Sequence, residues 1–134
     1  MNKETVSKLL TEYAIQPTQQ RMEIALLLLA KPQHLSADQV LMSVNSHENL
    51  VSKATVYNTL NLFAEKGLIR QVIVEPSKVF YDSNTETHHH IYNEDTGMLQ
   101  DINADNIVIK NLPQLPTGIV KSGIDIVIRV KNKS

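Results

Sequence analysis

The chain has no cysteine among its 134 residues, which excludes a disulfide framework and any zinc site built on thiolates. Cysteine usage therefore does not fix a compartment. Long apolar runs are missing too: Ile24 to Ala30, the longest, falls far short of the ~20 residues that span a bilayer. The N-terminal MNKETVSKLL lacks the apolar core and small-residue cleavage site of a secretion signal, so a cytoplasmic protein with no membrane role is expected. A basic surplus, the usual mark of a nucleic-acid binder, is absent as well. The formal net charge is −1, and residues 1–82 carry eight Lys or Arg against eight Asp or Glu. Any DNA affinity must then come from where the cations sit, not from bulk charge.

What is present is an ordinary soluble balance, 42% hydrophobic and 20% charged, at a length that suits one domain or two small ones. Val6, Leu9, Leu10 and Tyr13 recur with helical spacing, which predicts a first amphipathic helix stopped by Pro17. Thr18 is the expected cap of a second, which runs to about Ala30 and is apolar enough to be the buried centre of a small bundle. Ser36 is expected to cap a third, with Ala37, Val40, Leu41 and Val44 inward and NSHENLV as its exit loop. A fourth begins after Ser52, turns Val56, Leu60, Phe63 and Ala64 inward, and ends at Lys66 and Gly67. Past Gly67 the period changes: LIRQVIV, a turn at EPSK and VFYD read as a β-hairpin. Helices followed by such a hairpin predict a winged helix-turn-helix domain over residues 1–83. The same order of elements also suits an α+β domain with no nucleic-acid role.

In residues 84–134, Met98 to Ile102 reads as a strand, and Asn103 caps a short helix to about Asn111. NLPQLPTG is an extended connector, and Gly118 to Val130 alternates as a long strand. So few elements bury too little to be stable alone, so this small α/β domain is expected to complete its core in a homodimer. The expected fold class is α+β.

Two sets of residues carry chemistry. The fourth helix presents Lys53, Thr55, Tyr57, Asn58 and Asn61 outward, the mixture that reads bases and phosphates in a major groove. Asn58 could pair with an adenine edge and Tyr57 could pack on a thymine methyl, while Lys53 and Arg21 are candidate phosphate contacts. These residues would equally suit the solvated face of an ordinary helix. The second set is ETHHHIYNEDTG, Glu86 to Gly97. In an extended segment His88 and His90 share one face and His89 takes the other. Asp82 ends the second wing strand just upstream, and a hairpin through Asn93 to Gly97 would bring Asp101 alongside. Imidazole with carboxylate suits Fe²⁺, Zn²⁺ or Mn²⁺, whereas the lack of thiolate argues against Cu(I) and iron–sulfur clusters. His34, just before the Ser36 cap, is a fifth candidate. A bare HHH in a solvated turn is also common.

In their order and spacing, QPTQQRMEIALLLL, HLSADQV, SKATVYNTLNLFAEKGLIR and VFYDSNTETHHHIY resemble the ferric uptake regulator (Fur) superfamily of bacterial metal-responsive repressors. ATVYNTL, YDSNTETHHH and NLPQLPTGIVKSGIDIVIRVK resemble its iron response regulator (Irr) branch, which lacks the archetype's cysteines. The resemblance runs from about Gln16 to Lys131. It implies a dimeric transcriptional regulator of iron homeostasis, not an enzyme, that binds a pseudo-palindromic double-stranded DNA operator through the helix around 53–66. It also implies a sensor site at the hinge for one divalent ion per subunit, Fe²⁺, Mn²⁺ or Zn²⁺. The superfamily's ligand pattern falls on His34, Asp82, His88, His90 and Asp101. The Irr branch adds haem, for which His88, His89 and His90 are the implicated stretch, and haem would compete with an ion for His88 or His90.

Two departures qualify the resemblance. Asn58 stands where the archetype has an Arg, as in the Irr branch, so the classical operator does not carry over. Paired C-x-x-C motifs hold the superfamily's structural zinc; the first pair falls on Asn93 and Thr96 and the second is missing, so no structural zinc is expected. Alternatives are a metal-dependent hydrolase on the same His/Asp cluster, with Glu86 or Glu94 as base, and a winged-helix module responding to manganese, zinc or peroxide. A winged-helix interaction module without a sensor is a further one.

Overall fold

A computed structural model describes all residues, 1–134. The chain divides into two compact units, Met1–Thr85 and Glu86–Ser134.

In the first unit, α1 (Lys3–Glu12) starts at Asn2, whose side chain accepts the Thr5 N–H, and it buries Val6 and Leu10 completely. It stops well before Pro17, contrary to the sequence expectation. Ala14 takes a left-handed φ of 60°, and the N–H groups of Ile15 and Ala14 return to the carbonyls of Leu10 and Thr11. That reversal usually falls on a glycine; here Ile15, just after it, is buried in the core. α2 (Gln19–Leu28), capped by Thr18, buries Ile24, Ala25 and Leu28. α3 (Ala37–Val44) has a full capping box, in which Ser36 and Gln39 each accept the other's backbone N–H. α4 (Lys53–Glu65), capped by Ser52, ends where Gly67 adopts a φ of 82° and Leu68 donates back to the Phe63 carbonyl. Val56, Leu60 and Phe63 of α4 join Leu10, Ile24, Leu28 and Val40 in one apolar core. Each such side chain contributes about 1.5–3 kcal/mol by leaving water.

Three strands complete this unit: β1 (His34–Ser36), β2 (Arg70–Glu75) and β3 (Lys78–Asp82), in the order β1-β3-β2 and all antiparallel. β1 was not expected, because three residues cannot display an alternation. Only its pairing partners make it a strand: His34, Leu35 and Ser36 face Asp82, Tyr81 and Phe80.

The second unit is built on β4 (His88–Asn93), β5 (Leu99–Asn103) and β6 (Val127–Val130), in the order β5-β4-β6, with β4 antiparallel to β5 and parallel to β6. Here the sequence misled twice. The expected helix to Asn111 is a single 3₁₀ turn, Ala104–Asn106, capped by Asn103. The β-branched run Ile107-Val108-Ile109 loses side-chain freedom in a helix and offers no one-sided stripe. The long strand expected from Gly118 shrinks to Val127–Val130, the stretch whose partners are His90–Asn93 of β4. Alternation marks a strand's faces, but a strand also needs a neighbour to take its backbone hydrogen bonds.

The apolar core belongs to the first unit. In the second, the buried hydrophobics are Tyr92 and Leu99, while Val108, Leu112, Ile119 and Val120 are exposed. No helix is long and apolar enough to cross a membrane. The fold is α+β, a winged helix-turn-helix unit followed by a smaller sheet unit.

Candidate metal centre and nucleic-acid face

The pleat of β4 puts His88 and His90 on one face. The register places His90 directly opposite Asp101 and His88 opposite Asn103. His90 Nε2 lies 3.4 Å and His88 Nε2 3.7 Å from the same oxygen, Asp101 Oδ1, and the two rings meet edge-on with centroids 4.6 Å apart. Ligands around a tetrahedral ion with bonds of about 2.1 Å stand roughly 3.4 Å apart, a spacing these groups match, although it is also that of an ordinary imidazole–carboxylate ion pair. The tautomer of His88 agrees. Its Nδ1 is 2.7 Å from the Glu86 carbonyl oxygen, which can only accept, so Nδ1 carries a proton and Nε2 is the nitrogen turned towards Asp101. Both imidazoles are buried, at 6% and 1% exposure, whereas the Asp101 side chain is 53% exposed and gives the group an opening to solvent.

Asp82 is buried at the end of β3 in the first unit. The two imidazoles and the Asp101 carboxylate of the second unit are donors suited to divalent Mn, Fe or Zn. His34 lies in the first unit as well. It faces Asp82 across the β1–β3 ladder, with its ring edge-on to Phe80 at 6.1 Å. His89 points to the opposite face of β4, where its Nδ1 accepts the Ile126 N–H at 3.1 Å.

On α4, Lys53, Tyr57 and Asn58 are exposed, and the Lys53 ammonium lies 5.9 Å from the centre of the Tyr57 ring. Arg21, Thr55 and Asn58 line one open concavity of about 310 Å³, together with Thr18, Gln20 and Thr59. Gln20 had no sequence signal, since it sits in a helix read for its apolar content; its amide donates to the Leu50 carbonyl. Arg21 Nη1 donates to the Gln16 carbonyl at 3.0 Å. Asn61 is engaged differently from its neighbours. Its Oδ1 accepts the Tyr81 hydroxyl at 2.9 Å and the Gln71 amide at 3.2 Å, so it fastens α4 to the hairpin and keeps only its NH₂ to offer a groove.

The model of the ferric uptake regulator family matches residues 12–118, most of the chain. This protein belongs to that family. Among Fur-family relatives, the peroxide-responsive repressor PerR of Staphylococcus aureus is 30% identical over 92 residues, which cover 69% of this chain. The match spans 62% of that repressor's own length. Among solved Fur structures, the regulator from Pseudomonas aeruginosa with manganese superposes with a TM-score of 0.73 at 21% identity over 100% of both chains. The regulator from Francisella tularensis with iron gives 0.72 at 27% identity, over 89% of this chain and 92% of that one. These likenesses carry the α+β architecture.

Proposed function

We propose that this Fur-family chain is a metal-responsive DNA-binding transcriptional regulator, cytoplasmic and homodimeric, that acts on a pseudo-palindromic operator. The observation that carries the reading is the convergence of His88 and His90 Nε2 on one oxygen of Asp101. His88, His90 and Asp101 hold one divalent ion per subunit, and Asp82 and His34 are the further ligands that the family's pattern proposes. An ion bound there supplies a fixed positive charge against which the carboxylates and imidazoles are held. The residues' part is to bind it more tightly in the DNA-competent arrangement than in the other, or the reverse, because only that difference shifts DNA affinity. Arg21 and Lys53 contact phosphates, and Thr55, Tyr57 and Asn58 face the bases, with Asn61 mainly setting the pitch of α4.

Iron homeostasis is the finer part of the reading and rests on the Irr resemblance. Relatives include a peroxide-responsive repressor and regulators solved with manganese or iron, so the ion is proposed by class. Haem at His88, His89 and His90 draws less support, because the three rings are buried and face opposite sides of β4. Membership in a family of regulators weighs against the hydrolase.

The test is selection of duplexes from a random pool with and without Mn²⁺, then titration of the selected duplex. Wild-type protein is expected to change its DNA affinity at least tenfold on adding the ion. His90→Ala removes a ligand and should lose more than the roughly 10- to 100-fold in Mn²⁺ affinity that follows loss of a residue merely supporting a ligand, and its DNA binding should no longer respond. A wild-type affinity indifferent to Mn²⁺, Fe²⁺ and Zn²⁺ would sink the reading.

A further inference from the structure

His89 is the one buried histidine of β4 that the metal centre does not use, at 5% exposure. Its Nδ1 accepts the Ile126 N–H at 3.1 Å, while the Ile126 carbonyl accepts the His90 N–H at 3.1 Å. One residue of the incoming chain is thus gripped at both its donor and its acceptor by neighbouring residues of β4. β6 begins at the next residue, and its parallel register runs from His90↔Val127 to Asn93↔Val130. The grip therefore sits at the point where some twenty residues of irregular chain, 107–126, become a strand. Because Nδ1 is the acceptor, the ring proton lies on Nε2, and an Nε2–H has no lone pair to give a metal.

We propose that His89 is a positioning residue, a latch that sets the start and register of β6 through the Ile126 N–H, and not a ligand for an ion or for haem. β4 then carries two devices back to back. His88 and His90 face Asp101 on one side, and His89 holds β6 on the other. Whatever fixes the backbone of β4 on the ligand side also fixes the anchor of β6. This last clause rests on the metal-site reading; the latch itself does not.

Hydrogen exchange of the full-length protein, resolved at Ile126 to Val130, tests it with three chains. In metal-free protein, His89→Ala should speed exchange at Ile126 and the following amides about fivefold or more, the scale of one lost internal hydrogen bond. His89→Asn places an Oδ1 near where Nδ1 stood and should restore slow exchange, although it removes Nε2 altogether. Mn²⁺ affinity should stay within about threefold in both variants, and Mn²⁺ should slow exchange across Ile126–Val130 in wild type and His89→Asn but not in His89→Ala. Unchanged exchange in His89→Ala would remove the latch. Loss of Mn²⁺ or haem binding in His89→Asn, with exchange intact, would make His89 a ligand after all. If wild type binds no metal, the metal-free arm still decides the latch.

Discussion

At Ala14 and Gly67 the backbone turns through the same left-handed region at the ends of α1 and α4, with φ of 60° and 82°. Gly67 suits it, and a Cβ there would meet nothing within 4 Å, so Gly67→Ala is expected to cost about 1 kcal/mol from backbone conformation alone. Ala14→Gly should move the other way by up to about 1 kcal/mol, since the strain of an L side chain in that region exceeds the added freedom of the unfolded chain. Urea unfolding midpoints of the two variants check both signs; shifts in the same direction would refute the account. The histidines show how far single residues could be read. The two-residue spacing put His88 and His90 on one face, and a turn through Gly97 brought Asp101 within reach. The role of His89 was not legible, because its partner Ile126 lies 37 residues away and enters through a backbone N–H that has no residue signature.

At the scale of elements, the helix caps were written in the sequence, since Thr18, Ser36 and Ser52 each accept an N–H three residues on. The face of α4 was legible as a stripe, but the division of labour on it was not. Lys53 and Asn58 are exposed and should act on DNA in different ways. Lys53→Ala is expected to weaken binding to all duplexes alike and to reduce the slope of log affinity against log salt by about one. Asn58→Ala should leave that slope unchanged and relax preference at one base pair by about 1–3 kcal/mol. Anisotropy titrations over a range of salt, on selected and scrambled duplexes, separate them; identical behaviour of the two variants would reject the assignment. Asn61 is expected to differ from both, because Tyr81 and Gln71 already occupy its oxygen.

For the whole molecule, the decisive contrast is between a first unit with a continuous apolar core and a second whose long chain leaves Val108, Leu112, Ile119 and Val120 in water. Exposed apolar side chains spread along one segment are what a second copy would cover. Sedimentation equilibrium should therefore give twice the 15.1 kDa chain mass, and a monomer at micromolar concentration would contradict the homodimer. With no thiolate zinc to lose, EDTA should leave the helical far-UV signal intact, because the helices are held by burial and caps. The sequence by itself determined the four helices of the first unit, the caps at Thr18, Ser36 and Ser52, the wing hairpin and the facing of His88 and His90, all of which rest on local periodicity or on neighbours a few residues apart. Tertiary structure alone decided β1, the shortening of β6, the engagement of Asn61 and the latch at His89. Each of those depends on a hydrogen-bonding partner from another element, the side chains of Gln71 and Tyr81 for Asn61 and backbone groups for the rest, and a backbone group carries no mark of where its partner will come from.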